Sequence, residues 1–245
     1  MKLEAKNLHK SFGGLRAVDG VSFTAQSGAL TCITGPNGAG KTTVFNLLTG
    51  FYTPDHGRVL LDGLDMTDMP PAERARAGVV RTFQNIRLLD EMSAMDNLVC
   101  AMHGRFSASL ADTLLPTRRR RRELDDARAF AMEQLRFLGL DQYADMPAGK
   151  LPYGARKSLE IARCLCMRPR LMLLDEPASG LNTQEAHELG QTILRLDRDS
   201  MIIVVIEHNM ALVRQIADEI IHIADGRVAY ALPREEWLRK GGSRK

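Results

Sequence analysis

The residues Gly35-Pro36-Asn37-Gly38-Ala39-Gly40-Lys41-Thr42 fit the spacing G-x-x-x-x-G-K-[ST] in full. Glycines let a backbone curl so that successive N–H groups point at phosphate oxygens. A helix that follows such a loop adds the positive end of its dipole. Lys41 brings a mobile point charge to the outer phosphates, and the Thr42 hydroxyl suits Mg²⁺. The chemistry is a grip on a nucleoside triphosphate, with Thr43 completing the contact residues. Such a loop needs a metal-holding carboxylate on a neighbouring strand. Leu171-Met172-Leu173-Leu174 makes an apolar strand, and Asp175 emerges at its C-terminal end, where ligands sit in open α/β sheets. Asp175 is expected on Mg²⁺. Glu176 follows at once, points to a different side, and is expected as the general base that orients and activates water.

These groups need elements to hold them. Leu30–Thr34 is a dense run that ends in glycines, and Thr42–Thr49 then places Val44, Leu47 and Leu48 at helical spacing, with Gly50 as the stop. The pattern is strand, glycine-rich loop, helix. Leu171–Leu174 and Met201–Ile206 are apolar at every position, as central parallel strands covered on both faces are. Nearer the start, Val21, Phe23 and Ala25 alternate with Ser22, Thr24 and Gln26, which predicts a half-buried strand. Val59–Leu61 before Asp62-Gly63 reads as a strand end at a tight turn. From about Asn85 to Tyr153 helical spacing dominates. Leu124, Ala127, Ala131, Leu135 and Leu138 mark one face of a helix that stops near Gly139. An α/β core interrupted by a helical insertion accounts for all of this.

Taken in order, these residues resemble the ATP-binding subunits of ABC transporters, from about Leu3 to about Arg227. Leu151-Pro152-Tyr153-Gly154-Ala155 occupies the place of the family signature, usually Leu-Ser-Gly-Gly-Gln. Gln84, in Arg81-Thr82-Phe83-Gln84, resembles the glutamine of the Q-loop. His208, after Met201–Ile206 and Glu207, resembles the switch histidine, and Ser179-Gly180-Leu181-Asn182 matches the D-loop. Phe12 falls where the family stacks an aromatic ring on adenine. The Tyr-Gly signature, the Gly-Leu-Asn D-loop, Arg81–Leu88 and Ile206–Met210 are similar to one branch, the importers of branched-chain and other amphipathic amino acids.

The resemblance implies an α/β fold with a P-loop NTPase (RecA-like) core, a small antiparallel β subdomain and an inserted helical subdomain. It divides the chain at residues 1–84 (core, first part), 85–153 (helical insertion ending at the signature loop), 154–230 (core, second part) and 231–245 (C-terminal tail). It implies ATP and Mg²⁺ as ligands. Phe12 and the P-loop would lie on the nucleotide, and Thr42, Gln84 and Asp175 on the metal. Glu176, His208 and Gln84 would act in catalysis. Gly154 would serve the nucleotide held by a second ATP-binding subunit, identical or related, so that two chains sandwich two ATPs. Transmembrane permease subunits would read the motion, and a periplasmic or extracellular solute-binding protein would act indirectly. The implied place is cytoplasmic, peripheral on the inner face of the cell membrane. A docking surface for the permease falls on Ile86–Leu98, where Ile86, Leu88, Leu89, Met92 and Met95 cluster; the same side chains could instead fill the insertion's own core.

Several positions depart from the family pattern. Pro152 replaces the signature serine, which removes a hydroxyl contact to phosphate. Tyr153 replaces a glycine, Ala155 a glutamine and Asn182 the usual aspartate, and residues 230–245 do not follow the usual ending. ATP is still expected to bind, with a weaker signature side. A lipopolysaccharide-type exporter or a urea or amide importer could carry the same motor. Soluble ABC proteins that move no solute generally carry two fused cassettes or long coiled coils, whereas this chain has one P-loop and no sustained heptads.

Composition sets the outer limits. The chain has 245 residues, 44% hydrophobic and 26% charged, as an ordinary globule does, which excludes disorder and a small stapled fold. A net charge of +3 and 5% aromatics give no case for nucleic-acid binding. Cys32, Cys100, Cys164 and Cys166 show no paired CxxC spacing and predict reduced, buried thiols. Met1-Lys2-Leu3-Glu4 opens no apolar signal region, and no apolar run is long enough for a membrane helix. Arg118–Arg122 reads as a solvated face beside Glu123, Asp125 and Asp126, or as a contact for anionic lipid heads. The basic end Gly241–Lys245 is expected to be disordered.

Overall fold

Alternating burial makes a strand covered on one face, and the first strands have it. In the computed structural model, which describes residues 1–84, 86–103 and 118–242, strand β1 (Lys2–Phe12) pairs antiparallel with β2 (Leu15–Gln26). Val21, Phe23 and Ala25 point inward, as expected. β4 (His56–Leu61) adds to β1 and returns through Asp62-Gly63 to β5 (Leu64–Asp65), giving a sheet of order β2-β1-β4-β5. Both turn residues have positive φ, 49° and 80°, as a tight hairpin turn requires.

The second sheet has the order β10-β9-β3-β8-β7-β6. Its central strands are β3 (Leu30–Thr34), β7 (Leu171–Asp175) and β8 (Ile202–Ile206), buried at every position. β6 (Val79–Arg81), β7, β8, β3 and β9 (Glu219–Ala224) run parallel, and β10 (Arg227–Pro233) folds back antiparallel on β9. The strand carrying Asp175 is therefore not the neighbour of the P-loop strand, as the sequence led us to expect: β8 lies between them. All three strands carry the same apolar signal, so their lateral order has no mark in the residue pattern.

Helix α1 (Lys41–Thr49) follows the glycine-rich loop and stops at Gly50, a left-handed C-cap with φ 78°. Past that end, α2 (Pro71–Arg76) sends the fully buried Arg74 back to it. The guanidinium donates to the carbonyls of Leu47, Leu48, Thr67 and Met69. Two of these, Leu47 and Leu48, belong to the helix end, where a cation also fits electrostatically; the Leu47 carbonyl accepts from the Gly50 amide as well. Burial pulls this arginine down to about 10, so it stays charged at neutral pH.

The chain divides into one unit of Met1–Gln84 with Pro169–Lys245 and another of Asn85–Arg168. The helical unit thus runs beyond the expected end at Tyr153, because the helix opened by the signature belongs to it. It contains α3 (Ala94–Ala101), capped by the Ser93 hydroxyl, then α4 (Arg118–Phe137) and α5 (Tyr153–Cys166). Their mutual core is built by Leu98, Val99, Ala131, Leu135, Leu159 and Ala162. Leu124, read as part of the same α4 face, is instead exposed. Arg118–Arg122 open α4 on solvent, with Arg119 paired to Glu123 at 3.2 Å, which agrees with the solvated-face reading.

In the first unit, α6 (Thr183–Leu194) and α7 (Met210–Ile216) follow β7 and β8. The expected tail from residue 231 is a correction: β10 runs through it, and α8 (Arg234–Arg239) buries Trp237. Gly241 and Gly242 cap this helix through the carbonyls of Leu238 and Trp237. The remaining residues of the basic end, 243–245, lie outside the described residues, as does Asn85.

Candidate functional site

The glycine-rich loop is closely fitted to its own unit. A Cβ on Gly35 would stand 2.0 Å from the Ile223 carbonyl oxygen, and one on Gly40 2.3 Å from that of Ala17. Gly35, Gly38 and Gly40 all have positive φ. Only glycine meets both demands at Gly35 and Gly40. The helix that follows has no side-chain cap and no acidic residue in its first turn. Its orphan N–H groups and positive dipole are left for an external anion. Lys41 curls back on this loop, its Nζ donating to the carbonyls of Gly35 and Pro36, each at 2.8 Å. Burial lowers its affinity for a proton, while Glu176 and Asp175 work in the opposite sense, so the three charges share one electrostatic neighbourhood. This cradle fits a chain of phosphates.

The carboxylates emerge where β7 ends. Asp175 is buried, and its amide donates to the Thr82 hydroxyl at 3.1 Å. Its Oδ2 accepts from Arg81 Nη2 at 2.6 Å. Glu176 leaves the strand with φ 45°, a left-handed conformation unusual for this residue, and its amide donates to the Ile206 carbonyl. The turn separates the two neighbouring carboxylates. Glu176 Oε2 accepts from Gln84 Nε2 at 3.1 Å, and Oε1 stands 3.7 Å from His208 Nδ1. Three residues distant in sequence and chosen for chemistry, Gln84, Glu176 and His208, therefore meet.

Oxygen donors suit Mg²⁺, which keeps several waters and few protein ligands. The Thr42 hydroxyl, the Asp175 carboxylate and the Gln84 amide are such donors. No group of three or more His, Cys, Asp or Glu side chains among the described residues forms a metal cage. That donor set fits a magnesium ion carried on phosphate oxygens.

The remaining predicted residues fall elsewhere. Phe12 ends β1 at the Gly13-Gly14 turn, is exposed, and packs edge-on against Tyr52 with centroids 5.1 Å apart. Gly154 belongs to the helical unit and lies within the first turn of α5, not in the loop before it. Pro152 is the N-cap of that helix and offers no side-chain cap, so the first-turn amides there are also uncapped. Asn182 has a local duty: it caps α6 in a reciprocal box with Glu185. In the stretch expected either to dock a permease or to fill the insertion's own core, Met95 and Leu98 fill the helical unit's core, Leu89 is exposed, and Ile86, Leu88 and Met92 are half-buried. Of the cysteines, Cys32, Cys164 and Cys166 are buried, and burial pushes the thiols of Cys164 and Cys166 up to about 12; Cys100 is exposed, against expectation.

One functional residue was missed. Glu207 is fully buried, and its carboxylate accepts three backbone N–H groups: Ala178 at 2.9 Å, His208 at 2.9 Å and Asn209 at 3.0 Å. It ties the loop carrying His208 to the segment that leads into the D-loop. A carboxylate set directly behind an all-apolar strand was the available signal.

With this geometry in place, comparison with known proteins is specific. A family model described as "ABC transporter" matches residues 18–179. The chain is 44% identical over 225 residues to the high-affinity branched-chain amino acid transport ATP-binding protein BraF of Pseudomonas aeruginosa, covering 91% of this chain and 88% of that protein. It is 42% identical, with the same coverage, to the corresponding protein LivG of Escherichia coli K12. Among solved structures, a nucleotide-free ATP-binding cassette from an ABC transporter superposes with a TM-score of 0.84 at 32% identity, covering 98% of this chain and 94% of that one. Cassette fold, P-loop and relatives agree, and the chain belongs to the ABC transporter family.

Proposed function

We propose that this chain is the ATP-hydrolysing subunit of a membrane importer of branched-chain or related amino acids, working with Mg²⁺ and with transmembrane permease subunits. The observation that carries hydrolysis is the meeting of Gln84, Glu176 and His208 at the carboxyl ends of β7 and β8. The solute rests on the names of the relatives, since a motor of this kind does not touch it. No helix among the described residues is long and apolar enough to cross a membrane, which leaves the passage itself to partners.

In this reading the P-loop amides and Lys41 hold the β- and γ-phosphates of ATP. Asp175, Thr42 and Gln84 hold the metal, which when bound neutralises charge that develops on the phosphate oxygens. Glu176 orients a water in line with the terminal phosphorus and accepts its proton as the new P–O bond forms and the bond to the bridging oxygen breaks. His208 hydrogen-bonds the γ-phosphate and helps hold the water. Phe12 stacks on adenine. Gly154 presents the uncapped start of α5 to the nucleotide of a second ATP-binding subunit, and ATP-driven closure of the pair is what the permease reads.

Glu176→Gln tests the assignment. It keeps shape and one hydrogen bond but cannot take a proton. Turnover should fall ~10²–10⁴-fold with ATP affinity nearly unchanged. Phosphate release and equilibrium nucleotide binding measure the two quantities, and unchanged turnover would remove Glu176 from its role.

A further inference from the structure

Arg81 is a buried cation to which the reading above gives no task. It ends β6, and its side chain is 6% exposed. Nη2 donates to Asp175 Oδ2 at 2.6 Å, and Nη1 donates to Asn46 Oδ1 on α1, also at 2.6 Å. The guanidinium carbon lies 5.4 Å from the ring centroid of Phe45 and 5.6 Å from that of Phe83. Its Nε is buried with no hydrogen-bond partner.

Asp175 is therefore a carboxylate whose charge is already matched. A buried acid without a partner would be costly, and a guanidinium in direct contact relieves that cost. The same contact makes the carboxylate a poor ligand for a second cation. Two positive charges sharing one buried carboxylate repel several-fold more strongly than they would in water. The arginine is nevertheless not fully anchored, because Nε lacks an acceptor. The two aromatic rings beside it offer a seat for a guanidinium that has slackened its hold on the acid.

We propose that Arg81 is the resident counter-cation of Asp175 in the nucleotide-free chain: it keeps the carboxylate satisfied and excludes a free divalent ion until the metal arrives on a triphosphate. The polyphosphate brings its own negative oxygens, which outweigh one guanidinium. Metal and nucleotide then enter together. The inference rests on the assignment of Asp175 to the metal, and Arg81 acts through Asp175 as a positioning residue.

Mn²⁺ alone is the probe, because it takes the same oxygen ligands as Mg²⁺ and its binding is read directly by paramagnetic resonance. The unmodified chain should bind Mn²⁺ weakly alone and tightly with ADP or ATP. Arg81→Gln should bind free Mn²⁺ at least about tenfold more tightly than the parent, because a like charge has left the carboxylate. Adding Asp175→Asn to that variant should abolish the gain. Arg81→Lys, which keeps the charge, should keep the free metal out. Equal free-metal affinity in Arg81→Gln and the parent would overturn the inference, as would a gain in Arg81→Lys as large as that in Arg81→Gln. If Arg81→Gln does not fold, the parent still decides: tight binding of free Mn²⁺ that Asp175→Asn removes would refute exclusion. If Asp175→Asn leaves nucleotide-dependent Mn²⁺ binding intact, the assignment of Asp175 falls and takes the inference with it. If it abolishes that binding while Arg81→Gln behaves like the parent, only the inference falls.

Discussion

Glu176 stands in a backbone conformation that costs most side-chain-bearing residues roughly 1–3 kcal/mol. The surroundings hold it there: its amide is taken by Ile206 and its carboxylate by Gln84. The left-handed turn aims Glu176 away from Asp175, so two adjacent acids can serve different partners. Phe12 is a contrasting case, exposed, with the edge of Tyr52 and the Lys10 ammonium against its ring. If its ring stacks on adenine, Phe12→Ala should weaken ATP by ~1–3 kcal/mol. Titration of a fluorescent ATP analogue measures this, and triphosphate without a base should bind both proteins alike. Equal ATP affinity in the two proteins would remove Phe12 from the base site. At this scale the sequence was most informative where residue type and chemistry coincide, as in Lys41, Asp175 and Glu176. It was silent where a side chain serves a backbone. Asn182 read as a departure from the family pattern, and the structure shows it capping a helix. Glu207 and Arg81 had no spacing that announces their distant partners, since Ala178 and Asp175 reach them only through the fold.

At the scale of elements, apolar runs gave strands and helical spacing gave helices, yet neither encodes which strand lies beside which. The separation of β3 from β7 by β8 follows from crossover connections that pack helices on the sheet, and it sets His208 beside Glu176. The stop of α1 was half legible. Gly50 marks it in the sequence, but Arg74, which satisfies its last carbonyls, comes from a helix whose short span carries no such message. Arg74→Leu would leave four carbonyls of Leu47, Leu48, Thr67 and Met69 without that donor. Each buried orphan costs ~1–3 kcal/mol, so a loss of at least about 3 kcal/mol is expected. Urea unfolding monitored by far-ultraviolet dichroism would read it as a lower midpoint at constant slope. A loss under about 1 kcal/mol would mean that water replaces the guanidinium without penalty.

At the scale of the whole molecule, one chain carries two features of opposite use: a phosphate loop in the first unit and an uncapped helix start at Gly154 in the helical unit. Under the proposed function these serve different nucleotides, and the consequence can be tested without knowing the solute. Lys41→Ala removes the phosphate grip and leaves Gly154 intact. Gly154→Asp places a negative charge at the start of α5, where it repels a phosphate, and leaves the loop intact. Each variant alone should be nearly inactive. In an equal mixture of chains that pair with themselves, half of the pairs are mixed, and each mixed pair holds one site with both parts sound. About a quarter of the unmodified activity should return, as an isologous pair with independent sites requires. Recovery should vanish when both substitutions sit in the same chain and the mixture is made with either single variant of matching defect. If folded single variants show no recovery on mixing, Gly154 does not complete the site of a second copy of this chain, and the trans arrangement would have to involve a different ATPase subunit.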